Sequence, residues 1–115
     1  MGDRAMAEIK TEGGSVFVYT HLGGYSLPED AKQAILKAKP RWEDYPYATR
    51  IIVDQLTKEG RDDETGFGLM VNDNAEDSYN NGKPSVIIDL LTETLTIHRD
   101  GKVFTQTFEE LNNPS

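Results

Sequence analysis

The residues best suited to chemistry lie where an apolar run meets a glycine pair, in "VYTHLGGYS" at 18–26. Thr20 and His21 precede Gly23 and Gly24 there. Glycines allow a close backbone approach, a helix start just beyond would supply anion-binding N–H groups, and a histidine can carry a proton near neutral pH. The segment predicts a small-anion site, unless the glycines serve only to turn a strand into a helix. It matches neither the dinucleotide-binding nor the phosphate-loop glycine pattern.

A second glycine pair lies in "ETGFG" at 64–68, at the entrance of a predicted strand. If this strand neighbours the first, Thr65 and Gly66 would line one cleft with the first glycine pair. Arg50, on a predicted helix, would supply positive charge for a phosphorylated or nucleotide-like ligand. The alternative is that Arg50 pairs with an acidic side chain on its own surface.

The residue patterns of common catalytic and metal sites are absent from the sequence. There is no cysteine, and the two histidines are far apart. The acidic loop at 72–84 lacks the glycine and terminal glutamate of a calcium loop, and no serine lies in a nucleophile elbow. Paired-carboxylate catalysis stays open, although Asp62, Asp63 and Glu64 resemble a solvated turn. We therefore expect a binding protein rather than an enzyme, with no catalytic residue, metal or cofactor.

The net charge restricts the class of partner. Twenty acidic against twelve basic residues give −8, which would repel a phosphate backbone, so we expect no direct nucleic-acid binding. No apolar run is long enough for a membrane span, and a cytoplasmic location is expected. The acidic surface could instead bind a host protein, for instance by mimicking nucleic acid, or simply confer solubility. The mimic needs a continuous stripe of six carboxylates: Asp62, Asp63, Glu64, Asp73, Glu76 and Asp77.

The elements that must position these residues fit a single domain. Residues 8–111 are predicted to form it, with a disordered tail at 1–7 and a frayed tail at 112–115. "SVFVYTHL" at 15–22 is β-branched and aromatic and predicts a strand, with which 8–12 can pair across "EGG".

Two helices are predicted next. "SLPE" has the pattern of a capping box between Ser26 and Glu29, and Asp44 can cap the second helix, with Gly60 just past its end. The apolar stripe of the first helix is Leu27, Ala31, Ala34, Ile35 and Ala38. The stripe of the second is Ala48, Ile51, Ile52 and Leu56.

The second half of the chain reads as strands. "GFGLMV" at 66–71 alternates with Phe67 and Leu69 inward, and "SVIIDLL" predicts a buried strand. Asp100-Gly101 favours a two-residue hairpin turn. The resulting register pairs Arg99 with Lys102, His98 with Val103 and Ile97 with Phe104, and it places Leu95, Ile97 and Phe104 on the core face.

This order, β-α-α-β-β-β-β, predicts an α+β fold with a mostly antiparallel sheet of four to five strands and two consecutive helices packed on one face. The other face would carry apolar side chains, among them Met70, Ile87, Leu91 and the Phe17/Tyr19 pair. Because a patch of that size is rare on monomers, we expect a homodimer or higher homo-oligomer.

Four segments, "VYTHLGGYSLPE", "RWEDYPYATRIIVDQL", "ETGFGLMV" and "VIIDL", resemble a family of small bacteriophage and bacterial proteins. The resemblance covers residues 16–91 and rests on a Tyr-x-His-x-x-Gly strand end and a Thr-Gly-Phe/Tyr-Gly strand. Leu22 stands where a tryptophan is expected. The family carries no established activity. The resemblance implies only a host-interaction role, such as countering bacterial immunity. Together with the site residues named above, we expect a binding protein that sequesters an anionic or nucleotide-like molecule.

Overall fold

A six-stranded sheet with helices on one face makes up the part of the chain described by the computed structural model, residues 5–20, 26–60, 62, 64–70, 85–99 and 101–113. The strands are β1 (Ala5–Thr11), β2 (Gly14–Thr20), β3 (Phe67–Met70), β4 (Val86–Asp89), β5 (Thr94–Arg99) and β6 (Lys102–Thr107). The helices are α1 (Leu27–Lys37), α2 (Tyr45–Leu56) and α3 (Phe108–Asn112), with a 3₁₀ turn at Lys39–Arg41. The predicted α+β class is confirmed.

The strand order is β3-β2-β1-β4-β5-β6, which gives one or two more strands than predicted. β1 is central, pairing antiparallel with β2 and parallel with β4. The prediction of a disordered tail at 1–7 is therefore wrong for its last three residues, since Ala5, Met6 and Ala7 are strand residues with almost no exposed surface. Alanine, methionine and glutamate favour strands weakly, and pairing on both sides overrides that preference.

The predicted hairpin registers are confirmed. In β5–β6, Arg99 lies opposite Lys102 and Ile97 opposite Phe104, and Gly101 takes the positive φ of 76° that this turn requires. β1 pairs with β2 across the predicted "EGG" segment. Because β6 is the last strand of the sheet, Phe104 remains 54% exposed, and its expected place in the core is wrong.

The apolar stripes of both long helices face the sheet as predicted. The four stripe residues of α1 and Ala38, just past its end, are all buried. Ala48, Ile52 and Leu56 of α2 are buried too, and Ile51 packs at the margin of the core. On the sheet side, β1, β4 and β5 bury Ile9, Ile88 and Leu95 against them. The many alanines at this contact let helices and sheet approach closely.

The predicted helix ends differ in detail. Ser26 precedes α1 but does not cap it, and its hydroxyl lies 3.0 Å from an Asp30 carboxylate oxygen. α2 ends at Leu56, with the Thr57 hydroxyl donating to the Val53 carbonyl at 2.9 Å, so Gly60 is not the residue that terminates it. Both corrections reflect hydroxyl groups that find partners within the first or last turn.

A third helix, α3, was not predicted. A capping box opens it, in which the Thr107 hydroxyl accepts from the Glu110 N–H at 3.0 Å and Glu110 accepts from the Thr107 N–H at 2.8 Å. Phe108 is fully buried and its ring lies 5.0 Å from that of Trp42. The prediction of a frayed tail from residue 112 is therefore wrong at its start, because α3 continues to Asn112.

Thr107→Ala should lower the free energy of unfolding by about 1 kcal/mol, because it removes the cap of α3. Thr105→Ala is the matched control. It removes an exposed β6 hydroxyl that lies 3.2 Å from Thr96 Oγ1 but is part of no helix cap. Urea titration of both variants measures the difference. An equal loss in both would contradict a stabilising role for the cap.

The second face of the sheet is less apolar at its surface than the sequence suggests. Phe17 is already buried there within the single chain, next to Met6 and Met70. Ile87 is half-buried, and Leu91 lies outside β4, in the turn that Asp89 closes by accepting the Leu91 N–H at 2.9 Å. The predicted homo-oligomer remains a prediction, and its basis in this face is weakened.

Candidate functional site

Three of the predicted site residues lie at one end of the β2–β3 pair. Thr20, the last residue of β2, is buried and lies opposite Phe67, the first residue of β3. Thr65 and Gly66 therefore adjoin the same end, and Gly66 has a φ of 108°, which favours glycine. β2 and β3 are thus neighbours, as the predicted cleft requires. His21, Gly23 and Gly24 lie outside the described residues.

Arg50 lies elsewhere. It is on α2, with two thirds of its side chain exposed, and its guanidinium is 4.0 Å from an Asp54 carboxylate oxygen one turn on. It lines a groove with Gly13 and Val16, at the start of β2. The groove also includes Leu69 of β3, whose partner in β2 is Val18. Thr20, Thr65 and Gly66 are not among the described residues that line it, so the structure does not place Arg50 in one groove with them.

The grooves of the molecule result from a sheet wider than its helix layer. Six strands span about 24 Å, whereas two helices packed about 9 Å apart cover mainly the middle. Both edge strands therefore keep a helix-side apolar residue exposed, Leu69 on β3 and Phe104 on β6, at 60% and 54%. One open groove, of about 610 Å³, runs between α2 and the β2–β3 edge.

A second groove, which we call the α1 groove, lies between the start of α1 and the β5–β6 hairpin and measures about 810 Å³. Its apolar lining includes Ile97 and Phe104 from the hairpin and Pro28 from α1. A half-exposed phenyl ring beside an open groove can stack against a flat ligand. The volume falls within the range of small-molecule sites, about 300–1,000 Å³.

Positive charge faces the α1 groove from both walls. Lys32 projects from α1 and Arg99 from β5, and both line the groove together with one carboxylate, Glu29, which is 3.9 Å from Lys32. Arg99 also lies directly opposite Lys102 in the hairpin, so a second basic residue adjoins the groove. Of the described residues that line the groove, two are basic and one is acidic, whereas the whole chain has a net charge of −8.

A third groove, of about 790 Å³, surrounds the 3₁₀ turn and is less suited to an anion. Its lining carries mixed charge, with more acids than bases: Glu12, Glu43, Asp44 and Glu93 against Lys39 and Arg41. Trp42 lines it as well, but its indole N–H donates to the Ile35 carbonyl at 2.8 Å, so the ring is a structural link between the helices.

The sequence patterns did not predict the α1 groove, although they contain part of the information that defines it. The hairpin register puts Arg99 on the same face of the sheet as Ile97 and Phe104. Lys32 follows Pro28 by one helical turn, so helical geometry puts the two on one side of α1. Nothing local indicated that the start of α1 lies over β5 and β6.

The remaining predictions concern metals, membranes and the acidic stripe. Within the described ranges, no group of three or more metal-ligating side chains lies together, and no helix is long and apolar enough to cross a membrane. Asp62 and Glu64 are exposed, whereas Asp63, Asp73, Glu76 and Asp77 lie outside the described residues. The stripe is therefore untested.

Comparisons of the chain with family models, with curated proteins and with solved structures gave no significant match in any of the three. The resemblance to phage and bacterial proteins remains a prediction.

Proposed function

We propose that the protein is a non-catalytic binding protein for a small anionic, nucleotide-like molecule, and that the α1 groove holds it. The observation that carries the proposal is the arrangement of Lys32 and Arg99 on opposite walls of a groove that also exposes the ring of Phe104. Cations from two separate elements define one place for an anion, and the ring offers a flat apolar surface beside it.

The chemistry of these side chains fits a phosphorylated ligand with an aromatic ring. An arginine guanidinium forms paired hydrogen bonds to phosphate oxygens, and a lysine adds a point charge. Stacking of a base on an aromatic side chain contributes about 1–3 kcal/mol. Gln106, at the side of the groove, can read hydrogen-bonding groups of the base, since its amide both donates and accepts.

Titration calorimetry with purine and pyrimidine nucleoside monophosphates tests the proposal. We expect Arg99→Ala to weaken binding about 10- to 100-fold, because a charge-assisted hydrogen bond contributes about 1.5–3 kcal/mol. Phe104→Ala should weaken the binding of nucleotides but leave the weak binding of inorganic phosphate unchanged. The unphosphorylated nucleosides should bind more weakly than the monophosphates.

Arg50→Ala is the matched control, because it removes the same side chain from the groove at the opposite edge of the sheet. It should bind as the unaltered protein does. If Arg50→Ala lost binding and Arg99→Ala did not, the site would lie at the α2 edge instead. The absence of any binding heat with nucleotides or phosphate would refute the proposal.

A further inference from the structure

Strand β6 is an open edge of the sheet. All six of its residues are exposed, and within the described part of the chain nothing pairs with its outer side. Val103 and Phe104, at 62% and 54%, are two of the most exposed large apolar residues, and they point to opposite faces of the sheet. Edge strands of soluble proteins usually carry proline, a bulge or several charges against unwanted pairing, whereas β6 has only Lys102.

The hydrogen-bonding groups that β6 offers can be identified from its neighbours. His98 donates its backbone N–H to Ser85, on the β4 side, at 2.8 Å, so Ile97 and Arg99 direct theirs towards β6. Their partners in β6, Phe104 and Lys102, consequently direct their backbone N–H and C=O groups towards β5. The backbone groups of Val103 and Thr105 point outward, and the next outward N–H, that of Thr107, already donates to Glu110.

We infer that two copies of the chain associate through antiparallel pairing of their β6 strands. Only one register about a twofold axis pairs Val103 of each copy with Thr105 of the other. Each of these two residue pairs exchanges two backbone hydrogen bonds, which gives four in all. This register places Phe104 on the axis, opposite its own counterpart in a close pair that forms no backbone bonds. The two α1 grooves then meet across the paired phenyl rings.

Charge complementarity favours a second copy as the occupant despite the net charge of −8. β6 itself carries no carboxylate, so pairing of the two strands sets no acidic residues of β6 opposite each other. In this register Lys102 lies opposite Gln106 of the other copy, beside the start of α3. There, on the same face of the sheet, Glu109 and Glu110 are exposed. Lys102 of one copy thus lies near the acidic start of α3 in the other copy.

Single cysteines test the register directly, since the chain has no native cysteine. Close antiparallel pairs without backbone bonds have Cα separations of about 4.5 Å, which a disulfide can span. Phe104→Cys should therefore form a cross-linked dimer under mild oxidation at least about 10-fold faster than Leu69→Cys, which lies exposed on the opposite edge strand. Equal rates would overturn the inferred interface.

Sedimentation analysis from about 1 to about 200 µM tests association without cysteines, since an interface this small suggests a dissociation constant on the order of 10 µM. The mass should rise from 12.9 kDa towards twice that value. Thr105→Pro removes an outward N–H at an edge position that tolerates proline, so it should remain monomeric. Thr105→Val keeps the N–H, loses the same hydroxyl, and should dimerise normally.

A wild-type mass of 12.9 kDa at every concentration would overturn the inference, and so would a Thr105→Pro dimer as strong as that of Thr105→Val. If Thr105→Pro does not fold, the charges decide. Lys102→Glu should weaken dimerisation at least about 10-fold, and adding Glu109→Lys should restore it. A double variant no better than Lys102→Glu alone would contradict the register. These outcomes do not depend on whether a nucleotide binds.

Discussion

Ala7→Asp should abolish or nearly abolish folding, with a loss of at least about 3–5 kcal/mol in the free energy of unfolding. Ala7 is fully buried in the middle of the sheet, opposite Val18 on one side and Val86 on the other. A carboxylate there would face the helix layer without a partner. Because a domain of this size is stable by only about 5–15 kcal/mol, this is the largest effect we expect from one substitution.

Gln33→Asp is the matched control, since it introduces the same side chain at an exposed position of α1. It should cost less than about 1 kcal/mol, mostly in helix propensity. Circular dichroism during urea titration measures both variants. If residue 7 belonged to a disordered tail, Ala7→Asp would be as mild as the control, so this pair also tests the position of β1.

Phe108→Ala should lower the free energy of unfolding by about 3–5 kcal/mol, the usual cost of removing a buried phenyl ring. The ring of Phe108 is fully buried and packs against Trp42, and through it α3 is joined to the turn between α1 and α2. Tryptophan fluorescence should report the change as well, because Trp42 is the single tryptophan of the chain.

Phe104→Ala removes the same side chain from β6, four residues earlier, where it is half exposed. At a protein concentration too low for β6 pairing, it should change stability by less than about 1 kcal/mol. Comparable losses in the two variants would mean that α3 is not held by Phe108. The contrast also separates a stabilising phenylalanine from one that we assign to binding.

The position of Phe104 gives the two proposals a shared consequence. Pairing of the β6 strands would join the α1 grooves of the two copies into one continuous groove. Each copy would contribute its own Arg99 and Lys32 to it. A nucleotide bound near the axis would then favour the dimer by mass action. Binding that is unaffected by Thr105→Pro would show that each groove functions alone.

The sequence by itself determined the features that depend on near neighbours. The stripe from Leu27 to Ala38 predicted the buried face of α1, and Asp100-Gly101 predicted a register that the structure confirms pair by pair. Helical period, strand alternation and a two-residue turn each involve residues only a few positions apart, so their signal is contained in a short window.

Only the tertiary structure decided which strands are central and which residues share a groove. Ala7 meets Val86 across 79 positions of sequence, a parallel pairing that leaves no local pattern in "AMAEIK". Phe104 has the alternation of a core residue and is exposed because no further strand or helix among the described residues covers β6. Likewise Arg50 and Arg99 are the same residue type, and among the described residues the packing of α1 over the hairpin sets Arg99, but not Arg50, in one groove with a second cation. Burial and proximity arise from contacts between distant segments, and neither periodicity nor residue type specifies those contacts.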